Sequence, residues 1–167
     1  MLNQQFFTRA TLSKILGFKS EGMLQELEVK GLEKPAIKPS TYTLNQAFFV
    51  FICKTIVHET NLTWTHLILL QFNNVLNCDT LYENHLLGYH IFRKQCQVNT
   101  IIENNDVFCK ELDNVLKELF PNKDKHIYLF NGDEDVDCIV INLKKLRKNF
   151  ESKCKELNIN LEDKLSA

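Results

Sequence analysis

Apolar residues recur three and four positions apart in two short blocks near the start of the chain. The blocks cover about 9–16 and 21–31, and this period predicts two amphipathic helices. Thr8 and Ser20 stand where helix caps are expected, and Gly17 is suited to end the first helix. Two helices joined by a short turn that contains glycine are typical of a helix-turn-helix.

The second helix is followed by a stretch that cannot continue as a helix. Met23, Leu24 and Leu27 are expected to form the buried side of that helix, which should end near Gly31. Two prolines within residues 33–42 favour an extended edge ribbon instead. We interpret this ribbon as a short β-wing beside the helix pair.

Two further helices complete the first half of the chain. Thr43 and Gln46 match the capping-box pattern and predict a helix over about 44–59. Its segment 47–53 is apolar on nearly every side, so this helix should pack on the wing unit and also on the second half or a partner chain. A fourth helix, capped by Thr63, is expected over about 64–77.

The pattern changes after Cys78, where short β-rich runs alternate with two amphipathic helical segments. The predicted order is strand, strand, helix, strand, strand, helix, over about 89–94, 98–102, 105–120, 126–130, 137–141 and 142–157. We therefore predict an α+β fold with two domains. Residues 1–77 form a winged helix-turn-helix of four helices and a short β-wing, and residues 78–167 form a small α/β unit whose sheet is covered by helices on one face.

Charge is distributed unevenly along the 167 residues, although the whole chain carries a net charge of only −1. Residues 1–58 hold seven Lys or Arg against four Asp or Glu, a surplus of three positive charges. The remaining residues hold thirteen basic against seventeen acidic side chains, a surplus of four negative charges. This asymmetry gives weak support to a nucleic-acid-binding first half and a regulatory second half.

Six cysteines are present, and none of them forms a C-x-x-C pair. Most lie in apolar periodic segments, where a free cysteine acts as a small hydrophobic residue. The first residues, MLNQQFFTRA, lack the apolar stretch of a secretory signal. We therefore expect reduced thiols and a cytoplasmic protein, and no membrane span, because no apolar run approaches eighteen residues.

Two residue groups could in principle hold a metal ion, but neither has a convincing ligand pattern. His85, His90 and Cys96 are more simply ordinary residues of a turn and a strand. The D-x-D-x-D run at 133–137 lacks the glycine and glutamate that a calcium loop requires, so a solvated acidic hairpin is the better interpretation. No nucleotide-binding or catalytic motif is present either, so we expect no enzyme, cofactor or metal.

Residues 8–72 resemble the DNA-binding domain of the MerR family of transcription regulators. The resemblance depends on an ordered set of positions: Leu12 and Gly17, then Leu24, then the run from Glu28 to Leu32 that leads to Pro35, then the run from Tyr42 to Leu44. It implies a sequence-specific DNA-binding transcription regulator that binds double-stranded DNA as a homodimer and places its second helix in the major groove.

The resemblance also implies which residues would bind DNA. Lys19, Ser20 and Gln25 would reach base edges or nearby phosphates from the second helix, where Gln can pair with adenine. The other candidates would grip the backbone. The complete set of expected DNA-binding residues is Lys14, Lys19, Ser20, Gln25, Lys30, Lys34, Lys38, Ser40 and Tyr42.

Departures from the family pattern leave alternatives open. Gln25 and Glu26 occupy positions where the family carries Arg and Tyr, and Gly22 stands where a larger polar residue is usual. A winged-helix protein-interaction or scaffold module that does not bind DNA is therefore the alternative function. A small-molecule sensor in the second half is a third hypothesis.

Overall fold

In the residues that the structure describes, α-helices are combined with two small antiparallel sheets. The computed structural model describes residues 7–32, 41–69, 81–83, 86–92, 97–103, 105–121, 126–131 and 136–161. The elements in chain order are β1 (Phe7–Thr8), α1 (Arg9–Ile15), α2 (Glu21–Val29), β2 (Thr41–Tyr42), α3 (Leu44–Glu59), α4 (Trp64–Leu69), a 3₁₀ turn (Leu81–Glu83), β3 (Leu86–Phe92), β4 (Gln97–Glu103), α5 (Asp106–Leu119), β5 (Ile127–Asn131), β6 (Val136–Ile141) and α6 (Leu143–Glu156).

Local capping signals explain where the first helices begin and end. The Thr8 hydroxyl accepts a hydrogen bond from the Thr11 amide at the start of α1. Gly17 adopts a left-handed φ of 70° just after α1, a conformation that favours glycine. Thr43 and Gln46 form the reciprocal capping box at the start of α3, as their spacing predicts. Ser20 precedes α2 as predicted, although its side chain makes no capping hydrogen bond.

The smaller sheet pairs β1 with β2 in antiparallel register, Phe7 opposite Tyr42 and Thr8 opposite Thr41. This pairing joins the start of α1 to the residues that lead into α3. The predicted wing therefore ends in a strand, but its residues 33–40 lie outside the described part of the chain. The winged-helix interpretation of this region stays a prediction.

The larger sheet has the strand order β4-β3-β6-β5, with every neighbouring pair antiparallel. Neighbouring residues of a strand point to opposite faces. Ile127 of β5 belongs to the main core, which α3 and α6 also form, whereas Tyr128 stacks against Phe120 after α5 with ring centroids 5.5 Å apart. Tyr128 therefore contacts the residue that follows α5, and the prediction that helices cover one face of this sheet stays a prediction.

One core joins the two halves of the chain. Phe150 of α6 lies within 5.4–6.3 Å, between ring centroids, of Phe7, Phe48, Phe51 and Tyr82. The apolar α3 therefore packs on the second half, which is one of the two partners predicted for it. Separate folding of 1–77 and 78–167 stays a prediction, but the two segments share this aromatic cluster.

Candidate nucleic-acid interface

Helix α2 is fastened to the core through a buried carboxylate as well as through leucines. Glu28, whose side chain is 5% exposed, accepts hydrogen bonds from Arg9 Nε at 3.0 and 3.1 Å and from Arg9 Nη2 at 2.7 Å. The Tyr42 hydroxyl donates a further hydrogen bond to the same carboxylate. A buried charge is tolerated when it is paired and hydrogen-bonded in this way. The network therefore ties α1, α2 and β2 together.

Tyr42 belongs to this network and not to the protein surface. It is fully buried, and burial raises the pKa of its phenol far above the usual range, with a further increase from Glu28. The hydroxyl thus stays protonated and continues to donate. The expectation that Tyr42 grips a DNA phosphate was therefore wrong, because no phosphate can reach a side chain inside the core.

The opposite side of α2 faces solvent. Leu24 and Leu27 are buried, and Ser20 and Gln25, two of the expected base-reading residues, are exposed. Met23 is 44% exposed, so the prediction that it lies on the buried side was wrong. Helix α2 is therefore held on the core by Glu28 and the leucines, and its other side is open to solvent.

The exposed face of α2 carries little net positive charge. Lys30 Nζ lies 2.8 Å from Glu26 Oε1, one helical turn away, and Lys30 holds the pKa of Glu26 below its usual value. Glu21 adds a second exposed carboxylate in the first turn. Lys19 is exposed just before α2, but the cation of Lys30 is already engaged. Electrostatic attraction of α2 to phosphate is consequently weak.

Lys14 lies on another surface. It lines a cleft of about 510 Å³ between α1, α3 and α6, together with Lys54, His58, Ser152 and Lys153. No residue of α2 lines this cleft. The structure thus places Lys14 at a cleft apart from Gln25 of α2. Lys34, Lys38 and Ser40 lie outside the described residues, so the structure does not place them.

Among the described helices α6 is the most basic, although its sequence pattern predicted only an amphipathic helix. Its six basic side chains, against Glu151 and Glu156, leave a surplus of four positive charges. Arg147 is used internally, because it donates to the Tyr82 carbonyl and lies over the Tyr82 ring. Lys144 and Lys148 are exposed and form no ion pair within the described ranges. Counting charge helix by helix could have revealed this surface from sequence.

A second cleft, of about 210 Å³, lies where α5 meets the start of α6. Asp113 joins the two helices at this junction. Its carboxylate lies 2.8 Å from Lys117 Nζ and 3.7 Å from Lys145 Nζ, and it accepts a hydrogen bond from the Asn142 side-chain amide at 3.2 Å. Partial burial alone would raise the pKa of Asp113, but these partners outweigh it and the pKa is lowered. Lys110, Lys144 and Lys148 also line the cleft.

A chain of hydrogen bonds through three residues ends at Asn149, which lines the larger cleft. His126 Nδ1 lies 3.2 Å from Glu59 Oε1, and His126 Nε2 lies 2.9 Å from the Asn149 amide nitrogen. The His126 ring thus bridges the carboxylate of Glu59 and the side-chain amide of Asn149. The network joins the end of α3 to β5 and α6, and so fixes the position of Asn149 at the cleft wall.

The described part of the chain offers no group of three or more His, Cys, Asp or Glu side chains that could hold a metal ion. His85, Cys96, Asp133 and Asp135 lie outside the described residues, and so do the side chains of His90 and Asp137. Cys53 is a buried free thiol, and burial raises its pKa well above its usual value. Within the same ranges, no helix has the length and apolar character needed to cross a membrane.

No protein-family model, curated protein or solved structure matches this chain. The MerR resemblance therefore stays a prediction that depends on the ordered positions described above.

Proposed function

We propose that the protein is a sequence-specific DNA-binding transcription regulator that reads duplex DNA with the exposed side of α2. One observation carries this proposal. The buried Glu28 network and two leucines hold one side of α2 in the core, so the side that bears Ser20 and Gln25 is rigid and open to solvent. A helix that reads a major groove requires this combination of anchoring and exposure.

The division of roles on α2 follows from side-chain chemistry. Gln25 can pair with adenine N6 and N7 through its amide, and such a pair is worth about 1–3 kcal/mol of discrimination against the wrong base. Lys19 and Ser20 precede the first turn and can contact phosphates beside the groove. Because Glu26 neutralises Lys30, α2 supplies selectivity more than affinity.

Selection from randomised duplexes tests the proposal directly. Wild-type protein should retain a subset of sequences at low salt, and sequencing should show a common motif. Gln25→Ala should lose preference at one or two positions of that motif, because the amide that reads the base is gone. Asn114→Ala, an equally exposed position on α5, is the matched control and should keep the motif unchanged. Retention of no duplex by the wild-type protein would contradict the proposal.

A protein-interaction module is the second candidate, and the apolar exposure of α5 favours it. Phe108, Val115 and Leu119 are spaced on one side of α5 and are 49%, 49% and 61% exposed. Val29 on α2 is 83% exposed. Apolar side chains that share an exposed helix face are common where one protein docks on another.

The two candidates differ in their response to salt and to apolar substitution. DNA binding should weaken steeply as salt increases, whereas an apolar protein contact should hardly respond. Phe108→Ser with Leu119→Ser should leave the DNA-binding affinity of a regulator unchanged if α5 serves no DNA contact. If the protein does not bind to heparin even at low salt, this result favours the interaction module.

A further inference from the structure

We infer that α6 and the two clefts beside it form a track for the phosphates of nucleic acid, separate from the base-reading face of α2. This inference deepens the proposed function and rests on it, since both require that the protein binds DNA. We call the surface the basic track. Its lysines come from four helices and are Lys14, Lys54, Lys110, Lys144, Lys145, Lys148 and Lys153.

The track is continuous along the exposed side of α6. Lys144, Lys148 and Ser152 follow one another at intervals of four residues, which places them as neighbours on one helix face. The first two line the cleft beside α5, and Ser152 lines the cleft that contains Lys14 and Lys54. From Lys144 to Ser152 the helix rises about 12 Å, an axial length over which one DNA strand presents roughly three or four phosphates.

The charge of the track is strongly positive in a chain that is nearly neutral. Seven lysines against the three carboxylates that line the same clefts, Asp106, Asp113 and Glu156, leave a surplus of four positive charges. Lys14 and Lys54 form no ion pair within the described ranges, and neither do Lys144 and Lys148. These four lysines are therefore available to neutralise phosphates and release counterions.

Several features favour a nucleic-acid backbone over a lipid surface. The apolar residues of α6, Leu143, Leu146, Phe150 and Cys154, all lie in the core, so the exposed side has no apolar group to insert into a bilayer. Ser152 lines the larger cleft together with Lys14, Lys54 and Lys153, and hydroxyl groups commonly contact phosphate oxygens. A line of cations follows a polyanion strand, and it carries no information about base sequence.

The test compares Lys144→Gln/Lys148→Gln with the charge-conserving pair Lys144→Arg/Lys148→Arg. Both replace exposed side chains that form no ion pair in the described structure, so the fold should be kept, and circular dichroism checks this. The probe is a 20-bp duplex of arbitrary sequence, titrated at several salt concentrations. The Gln pair should reduce the slope of log K against log salt by about 2 and weaken binding roughly tenfold per lysine near 0.1 M salt. The Arg pair should bind like the wild type.

The outcomes separate this inference from the proposed function. If wild-type protein binds no duplex at any salt concentration, both proposals fail. If the wild type binds but the Gln pair keeps the same affinity and slope, the basic track is wrong and the role of α2 is untouched. If vesicles containing an anionic lipid bind through the same lysines more tightly than the duplex does, the track is a membrane contact and the inference is overturned.

Discussion

Helices α2 and α6 are both amphipathic and both lie on the shared core, but their solvent-facing sides differ in charge. The outer side of α2 is nearly neutral, with Gln25 exposed and Lys30 paired with Glu26. The outer side of α6 has exposed cations at Lys144 and Lys148, which form no ion pair with any residue that the structure describes. In DNA-binding proteins, base contacts specify and phosphate contacts position. The comparison suggests that one helix here is suited to selectivity and the other to affinity.

The two helices are also anchored by different physics. Phe150 anchors α6 through aromatic packing, whereas a buried ion network anchors α2. Most of the stability from aromatic packing comes from burial of apolar surface, which requires no particular direction. A buried carboxylate, in contrast, has to keep all of its hydrogen-bond partners. The position of α2 therefore depends on residues that lie far from its exposed face.

The largest expected effect comes from removing the anchor of α6. Phe150→Ala should lower the free energy of unfolding by about 3–5 kcal/mol, because four aromatic neighbours lose a packing partner and a cavity remains. Urea titration measures the change, and Ser152→Ala on the exposed side of α6 is the control. Because the core is shared, Trp64 fluorescence and far-UV circular dichroism should report one transition. Two separated transitions would mean that the halves fold independently.

A somewhat smaller loss in the free energy of unfolding should follow from removing Glu28, which anchors α2. Glu28→Ala leaves Arg9 and the buried Tyr42 hydroxyl without their shared acceptor, and we expect a loss of about 2–4 kcal/mol, reduced because Arg9 is partly exposed to water. Chemical denaturation measures it. Glu26→Ala, which breaks only the exposed pair with Lys30, should leave the midpoint unchanged. Equal midpoints for both variants would show that the Glu28 network does not hold α2.

The physical origin of these anchors explains what the sequence could predict. Caps depend on neighbouring residues, so Thr8, Thr43 and Gln46 were identified and the bounds of α3 were predicted correctly. Glu28 was not identified as buried, because a glutamate in a helical pattern is ordinarily assigned to solvent. Its partners Arg9 and Tyr42 are nineteen and fourteen residues away, and only the tertiary fold brings them together.

The candidate site shows the same limit. Gln25 and Ser20 were placed correctly on an exposed face, because helical periodicity around Leu24 and Leu27 defines that face. Lys14 could not be assigned to the α6 surface, since that contact joins residues more than 130 positions apart in the chain. Regional charge totals also hid α6, because the acidic residues around it gave the second half a negative balance.

The smallest expected effect concerns the junction that positions the start of α6. The pKa of Asp113 is lowered in the folded protein, so its charged form stabilises the fold above its ordinary pKa of 3.8, and this contribution disappears as the pH falls below about 4. Asp113→Asn should therefore be less stable than the wild type at pH 6, and the difference should shrink as the pH falls below 3.8. A difference that is constant across this range would mean that the ion pairs of Asp113 contribute nothing.

The division between α2 and α6 is tested most directly by one set of binding titrations. Wild-type protein, Gln25→Ala and Lys144→Gln/Lys148→Gln are each titrated with a selected duplex and with a scrambled duplex of equal length. Gln25→Ala should weaken binding to the selected duplex only. Lys144→Gln/Lys148→Gln should weaken binding to both duplexes by the same factor, so the ratio of the two affinities should be preserved. The account would be contradicted if Lys144→Gln/Lys148→Gln changed the ratio of the affinities for the two duplexes. It would also be contradicted if Gln25→Ala left that ratio unchanged.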